Sequence, residues 1–88
     1  MKEITYFYLS TCPYCRQADR LIQELIEQEP QFSVVPIQKI EEREQAEIAD
    51  QYDYYFVPCF YIGEKKLMEG VPTPEKVRET FLAALHEI

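Results

Sequence analysis

Eighty-eight residues fit one small domain, since chains divide only beyond roughly 250 residues. With 47% hydrophobic and 28% charged residues and two glycines, the composition is that of a globular chain and excludes disordered, collagenous and low-complexity readings. Nine basic residues against sixteen acidic give a net charge of −7, which repels phosphate backbones and anionic lipid, so neither nucleic acid nor a membrane is an expected partner.

Ile4 to Leu9 is dense in β-branched and aromatic residues on both alternating faces, the pattern of a central strand covered on two sides. Too short for a signal peptide, and with no run of about 18 apolar residues elsewhere, it leaves the cytoplasm as the expected location. From Pro13 the apolar positions Cys15, Ala18, Leu21, Ile22, Leu25 and Ile26 keep the spacing of one helical stripe to about Glu29. Phe32 to Gln38 reads as a second strand, at a sheet edge because Pro36 lacks a donor. Glu41 to Gln51 reads as a second helix, acidic in its first turn, with Ile48, Ala49 and Tyr52 facing inward. Val57 to Ile62 and Lys66 to Glu69 read as a hairpin around Gly63. Thr73 caps a last helix with Pro74 in its first position and Val77, Phe81, Leu82 and Leu85 on its buried stripe. The order β-α-β-α-β-β-α predicts one α/β domain over residues 1–88, a four-stranded mixed sheet with helices on both faces.

The three cysteines cannot all pair internally, so catalysis, redox sensing or metal binding is expected ahead of a permanent disulfide framework. Cys12-Pro13-Tyr14-Cys15 lies between the central strand and the first helix. With Pro13 in the first helical position, Cys12 becomes the N-cap, where the electropositive helix end favours a thiolate, and Arg16 and Arg20 add positive charge nearby. Cys12 is therefore the expected nucleophile toward a disulfide. Cys15, one turn further in and shielded, is the expected resolving thiol that releases the partner and closes a Cys12–Cys15 bridge. A zinc site would need two more ligands, and only Cys59 and His86 remain. No metal is expected, although a non-enzymatic metal or iron–sulfur carrier and an interaction module with an idle dithiol stay open as alternatives.

The chain resembles the glutaredoxin branch of the thioredoxin superfamily: Cys12-Pro13-Tyr14-Cys15 is that branch's dithiol motif, Val57-Pro58 is similar to its cis-proline element, and the order of elements matches over essentially the whole chain. The resemblance implies a thioredoxin-like (glutaredoxin) fold and a glutaredoxin-like thiol–disulfide oxidoreductase. Such a protein is expected as a monomer, with no bound cofactor, reducing disulfide-containing proteins or glutathione mixed disulfides. It implies a cis Pro58 beside the cysteine pair, where position alone says only that Pro58 opens a strand. It further implies that the Val57 backbone offers strand-like hydrogen bonds to a bound peptide or glutathione, and that Tyr14 shapes the contact surface.

Two departures bear on glutathione as electron donor. Glutaredoxins place a Gly-Gly pair and acidic residues before the last helix, where glutathione is held, whereas here the segment reads Gly70-Val71-Pro72-Thr73. Gly70 and the helix end at Thr73 are what remain of that binding segment. The lysine common before the first cysteine is also missing from Leu9-Ser10-Thr11. Weak coupling to glutathione is therefore expected, with a donor of the thioredoxin-reductase type as the alternative. Thioredoxins in turn usually bury an acid six residues before the first cysteine, and here that residue is Tyr6. Cys59 is a candidate third redox thiol or a small core residue, and of the aromatic cluster Tyr52 to Tyr61, Tyr55 and Phe56 are the candidates to flank a substrate groove.

Overall fold

The first strand, β1 (Ile4–Tyr8), lies inside a four-stranded sheet of order β2-β1-β3-β4, as its two apolar faces predict. The computed structural model describes residues 1–86; Glu87 and Ile88, the end of the expected 1–88 domain, lie outside the described residues. β2 (Ile37–Glu41) runs parallel to β1, with Ile4 opposite Ile37 and Tyr6 opposite Lys39. β3 (Cys59–Ile62) runs antiparallel to β1, and β4 (Lys65–Glu69) antiparallel to β3. Between β3 and β4, Gly63 takes a φ of 59°, a conformation that glycine adopts without steric cost.

Alternation along the inner strands sorts their side chains into two cores. Ile4, Tyr6, Phe60 and Ile62 face α1 (Pro13–Gln28) and α3 (Pro74–His86), meeting Ala18, Ile22, Leu25, Val77 and Phe81. Phe7, Cys59 and Tyr61 face the other way, where they pack with Ile40 and with Ala49 of α2 (Ala46–Ala49). Tyr6 meets Phe60 edge-on at 4.9 Å on the first side, and Phe7 stacks on Tyr54 at 4.8 Å on the second. Among the described residues no helix is long and apolar enough to cross a membrane.

Two expected elements are corrected. The strand expected over Phe32 to Gln38 is a 3-10 helix, Pro30–Val34, followed by β2 starting only at Ile37. Phe32 and Val35, three apart, are both buried, the spacing of a turn with three residues per revolution and not of a strand. The edge position holds, and the Pro36 carbonyl still accepts the Ile4 N–H at 2.9 Å. The helix expected over Glu41 to Gln51 shrinks to Ala46–Ala49, because Glu41 ends β2 and its carboxylate accepts the N–H groups of Arg43 and Glu44 at 2.7 and 3.3 Å, holding a turn in place of a helix start. The inward stripe survives, with Ala49 buried and Ile48 and Tyr52 packed beside it. β3 begins at Cys59, two residues later than expected, after Pro58, which has no N–H to donate to a ladder.

Candidate active site

Cys12 closes the N-terminus of α1 in an extended conformation with Pro13 behind it, and its sulfur accepts the Cys15 N–H at 3.2 Å. The capping position expected from the sequence is thus occupied by a sulfur that has taken up one of the helix's free amides. Cys12 is half-buried, and Cys15, one turn along, is 2% exposed. Burial first, and then the hydrogen bond to Cys12, push the Cys15 thiol up to about 12. The pair is therefore asymmetric: one sulfur at the surface, one neutral thiol shielded behind it. All three cysteines are free.

The Val57–Pro58 bond is cis, and the Val57 carbonyl lies 3.8 Å from the Cys12 sulfur, close enough to accept its S–H. Pairing of β3 with its neighbours starts at Cys59, which leaves Val57 outside that ladder and next to Cys12. The Pro58 carbonyl accepts the Gly70 N–H at 2.9 Å, bringing the end of β4 up to the same corner. Gly70 makes this turn at a φ of 87°, a left-handed conformation. Tyr14, Tyr55, Phe56 and Val71 are all exposed, Tyr55 at 84%, so apolar side chains carried on α1, the loop before Pro58 and the segment after Gly70 remain uncovered.

At Thr73 the hydroxyl accepts the Lys76 N–H at 3.1 Å, so the residue caps α3, and Glu75 stands in the same first turn. Cys59 pairs with Phe7 and Glu69 and is fully buried in the core on the α2 side of the sheet, the side away from α1. Burial raises its thiol to about 12. This is the setting of a packing residue. Arg16 and Arg20 are exposed on α1. Among the described residues no three of His, Cys, Asp or Glu gather in a metal-holding group.

Other residues enter the site that sequence reading did not single out for it. Glu69 of β4 accepts the N–H groups of Tyr55 and Phe56 on one carboxylate oxygen and the Lys66 ammonium at 2.8 Å on the other, tethering the loop that leads to Val57. Tyr6, buried under α1, places its hydroxyl 2.9 Å from the Cys15 carbonyl and 3.0 Å from Asp19 Oδ1. Lys39 stands 3.4 Å from that same oxygen. Asp19 was legible as the residue one turn after Cys15 on the same helical face. Nothing local in the sequence points to Lys39 or Glu69, which arrive from other strands.

A family model described as a thioredoxin domain matches residues 2–82. No curated protein matches the chain. Among solved structures, Fasciola hepatica thioredoxin is 21% identical with a TM-score of 0.65, over 93% of this chain and 79% of that one. A thioredoxin variant from Halobacterium salinarum is 18% identical with a TM-score of 0.68, over 98% and 76%. Thioredoxin O2 of Arabidopsis thaliana, in an oxidized state, is 24% identical with a TM-score of 0.59, over 94% and 72%. At these identities the likeness is one of fold.

Proposed function

Because the chain belongs to the thioredoxin-domain family, we propose that it is a thiol–disulfide oxidoreductase in which Cys12 attacks a disulfide and Cys15 resolves the mixed disulfide that forms. The observation that carries this reading is the Cys12 sulfur accepting a backbone N–H at the start of α1, with a shielded thiol one turn behind it. Sulfur held this way is placed to attack, and a neutral neighbour does not compete for the same substrate. The Val57 backbone beside Cys12 supports the role of an extended peptide as substrate, with Pro58 and Gly70 shaping that corner and Tyr14, Tyr55 and Phe56 offering apolar contact. Reduced protein thiols are the products, and a reducing compartment such as the cytoplasm is the proposed setting.

The glutaredoxin-like form of this activity, with glutathione mixed disulfides as substrates, is proposed with weak coupling to glutathione. Thr73 already spends its hydroxyl on its own helix, Glu75 adds a negative charge there, and Val71 stands where the branch has its second glycine. A reductase of the thioredoxin-reductase type is the favoured donor on those grounds. Cys59 is assigned to packing.

Cys12→Ser abolishes reduction of a protein disulfide such as that of insulin, and Cys15→Ser leaves Cys12 holding a mixed disulfide that can be isolated and mapped. Full activity in Cys12→Ser overturns the assignment of the nucleophile. Parallel assays, one driven by glutathione with its reductase and one by thioredoxin reductase, separate the donors: faster turnover in the second is expected, and robust turnover with glutathione overturns the weight placed on Val71 and Thr73.

A further inference from the structure

We propose that Lys66 and Glu69 of β4 are positioning residues for peptide substrates: they hold the loop of residues 53–57 so that the Val57 backbone stands ready beside Cys12 to receive an extended segment. Resting on the dithiol reading above, this role sets affinity for a peptide and leaves the sulfur chemistry alone. An irregularity in the β3–β4 hairpin creates it.

Residues three apart on a regular strand point to opposite faces, so Lys66 and Glu69 would not ordinarily meet. In the ladder Cys59 is opposite Glu69 and Phe60 opposite Met68, but Tyr61 is opposite Lys66, which leaves Leu67 as an extra residue, a β-bulge. Leu67 and Met68, consecutive in sequence, accordingly both pack on the α1–α3 core. Residues directly opposite on antiparallel strands share a face. The bulge therefore turns Lys66, with Tyr61, and Glu69, with Cys59, to the α2 side of the sheet, where their charges meet at 2.8 Å. Without the extra residue Lys66 would point to the α1 side and the pair could not form.

What the re-aimed side chains hold is backbone. The Asp53 carbonyl accepts the Tyr61 hydroxyl and, at 3.3 Å, the Lys66 ammonium, while the Tyr55 and Phe56 N–H groups both donate to Glu69 Oε2. Three main-chain groups just before Val57 are thus pinned from the hairpin. The Tyr55 and Phe56 side chains take no part in the hold and stay 84% and 67% exposed, free to meet a partner. Val57 itself lies outside the β3 ladder, so the loop in front of it, more than strand pairing, sets its placement.

A peptide that lays its backbone against Val57 binds at full strength only where that backbone is already in place. A loop that must first be ordered lowers the apparent affinity by the fraction of time it spends ordered. A small disulfide with no peptide backbone gains nothing from Val57 and depends on Cys12 alone. The two kinds of substrate therefore separate the hold on the loop from the reactivity of the sulfur.

The test mixes the fully reduced protein with rising concentrations of a short peptide disulfide carrying a quenched fluorophore and, in parallel, with dithiobis(nitrobenzoate), which has no peptide backbone. In Glu69→Gln the peptide concentration at half-maximal rate rises at least about threefold, while the limiting rate and the dithiobis(nitrobenzoate) rate both stay within about twofold of wild type. Lys66→Met moves the half-maximal concentration in the same direction, and Lys66→Arg, which keeps the ion pair, retains the wild-type value. A half-maximal concentration unchanged in either Glu69→Gln or Lys66→Met overturns the proposal, as does an equal fall in the rates with both substrates, since that marks a disturbance of Cys12. Failure of the wild-type protein to reduce either disulfide would overturn the dithiol reading itself, whereas normal wild-type saturation left intact by Glu69→Gln defeats the positioning role alone.

Discussion

Glu69 shows how much one side chain can organise. The Lys66 ammonium first, and then the Tyr55 and Phe56 N–H groups, hold its carboxyl down at about 2. Through these contacts the end of β4 fixes the loop that delivers Val57 to the Cys12 sulfur. Glu69→Gln loses the ion pair and one charge-assisted acceptor. Amide hydrogen exchange at Tyr55 and Phe56 is expected to accelerate roughly fivefold, the equivalent of about 1 kcal/mol, with the exchange of β1 amides unaltered. Unchanged protection at both loop amides would show that the loop is held by other contacts. Tyr6 works by the same logic one layer deeper: its ring packs on Phe60 while its hydroxyl reaches Cys15 and Asp19, so a single residue joins the core to the site.

Helix ends position this site. α1 begins with a cysteine cap and α3 with a threonine cap, and each is followed by proline, whose fixed φ and missing N–H suit the first helical position. The two helices are tied together by Arg78, which meets both carboxylate oxygens of Glu29 at 2.7 and 2.8 Å and lies over the Phe32 ring. That pair is screened by solvent, so its share of stability is small, and apolar packing of Phe32 on Phe81 dominates the same corner. Thr73→Ala removes a cap and is expected to cost about 1 kcal/mol in denaturant unfolding. Disulfide reduction driven by thioredoxin reductase is expected to stay at the wild-type rate. A loss of that activity without a loss of stability would give Thr73 a direct part in substrate contact.

Across the whole molecule the titrating groups set a window of stability. Glu69 is lowered from 4.5 to about 2, and Glu41 and Glu29 are also lowered, by the backbone amide of Arg43 and by the Arg78 guanidinium respectively. Groups lowered on folding contribute stability that is present above their ordinary value and lost as pH falls through the folded one. Cys15 and Cys59 are raised from 9.0 to about 12 by burial, and Tyr6 is raised as well. Groups raised on folding contribute stability present below their ordinary value and lost as pH rises toward the folded one. The unfolding free energy is therefore expected to be flat between about pH 5 and 9, falling on the acid side toward 2 and on the alkaline side toward 12. Denaturant midpoints measured across that range check it, and a Cys59→Ala variant with an unchanged alkaline slope would remove Cys59 from the account.

Local pattern alone determined the order of elements, the central place of β1, the caps at Cys12 and Thr73, and the CxxC pair at a strand-to-helix junction. These depend on spacing, on proline's missing donor and on which residues can accept free helix amides, all properties of near neighbours. The 3-10 turn at Phe32 and the shortened α2 were missed because burial of Phe32 against Phe81, and of the Glu41 carboxylate against a turn's amides, overrode local preference. Only the tertiary structure decided that Cys59 packs on the face away from α1, that Glu69 tethers the Val57 loop, and that Asp19, Tyr6 and Lys39 meet behind Cys15. Those partners lie on separate strands and helices, so no periodicity links them; sheet register and the two-sided core bring them together.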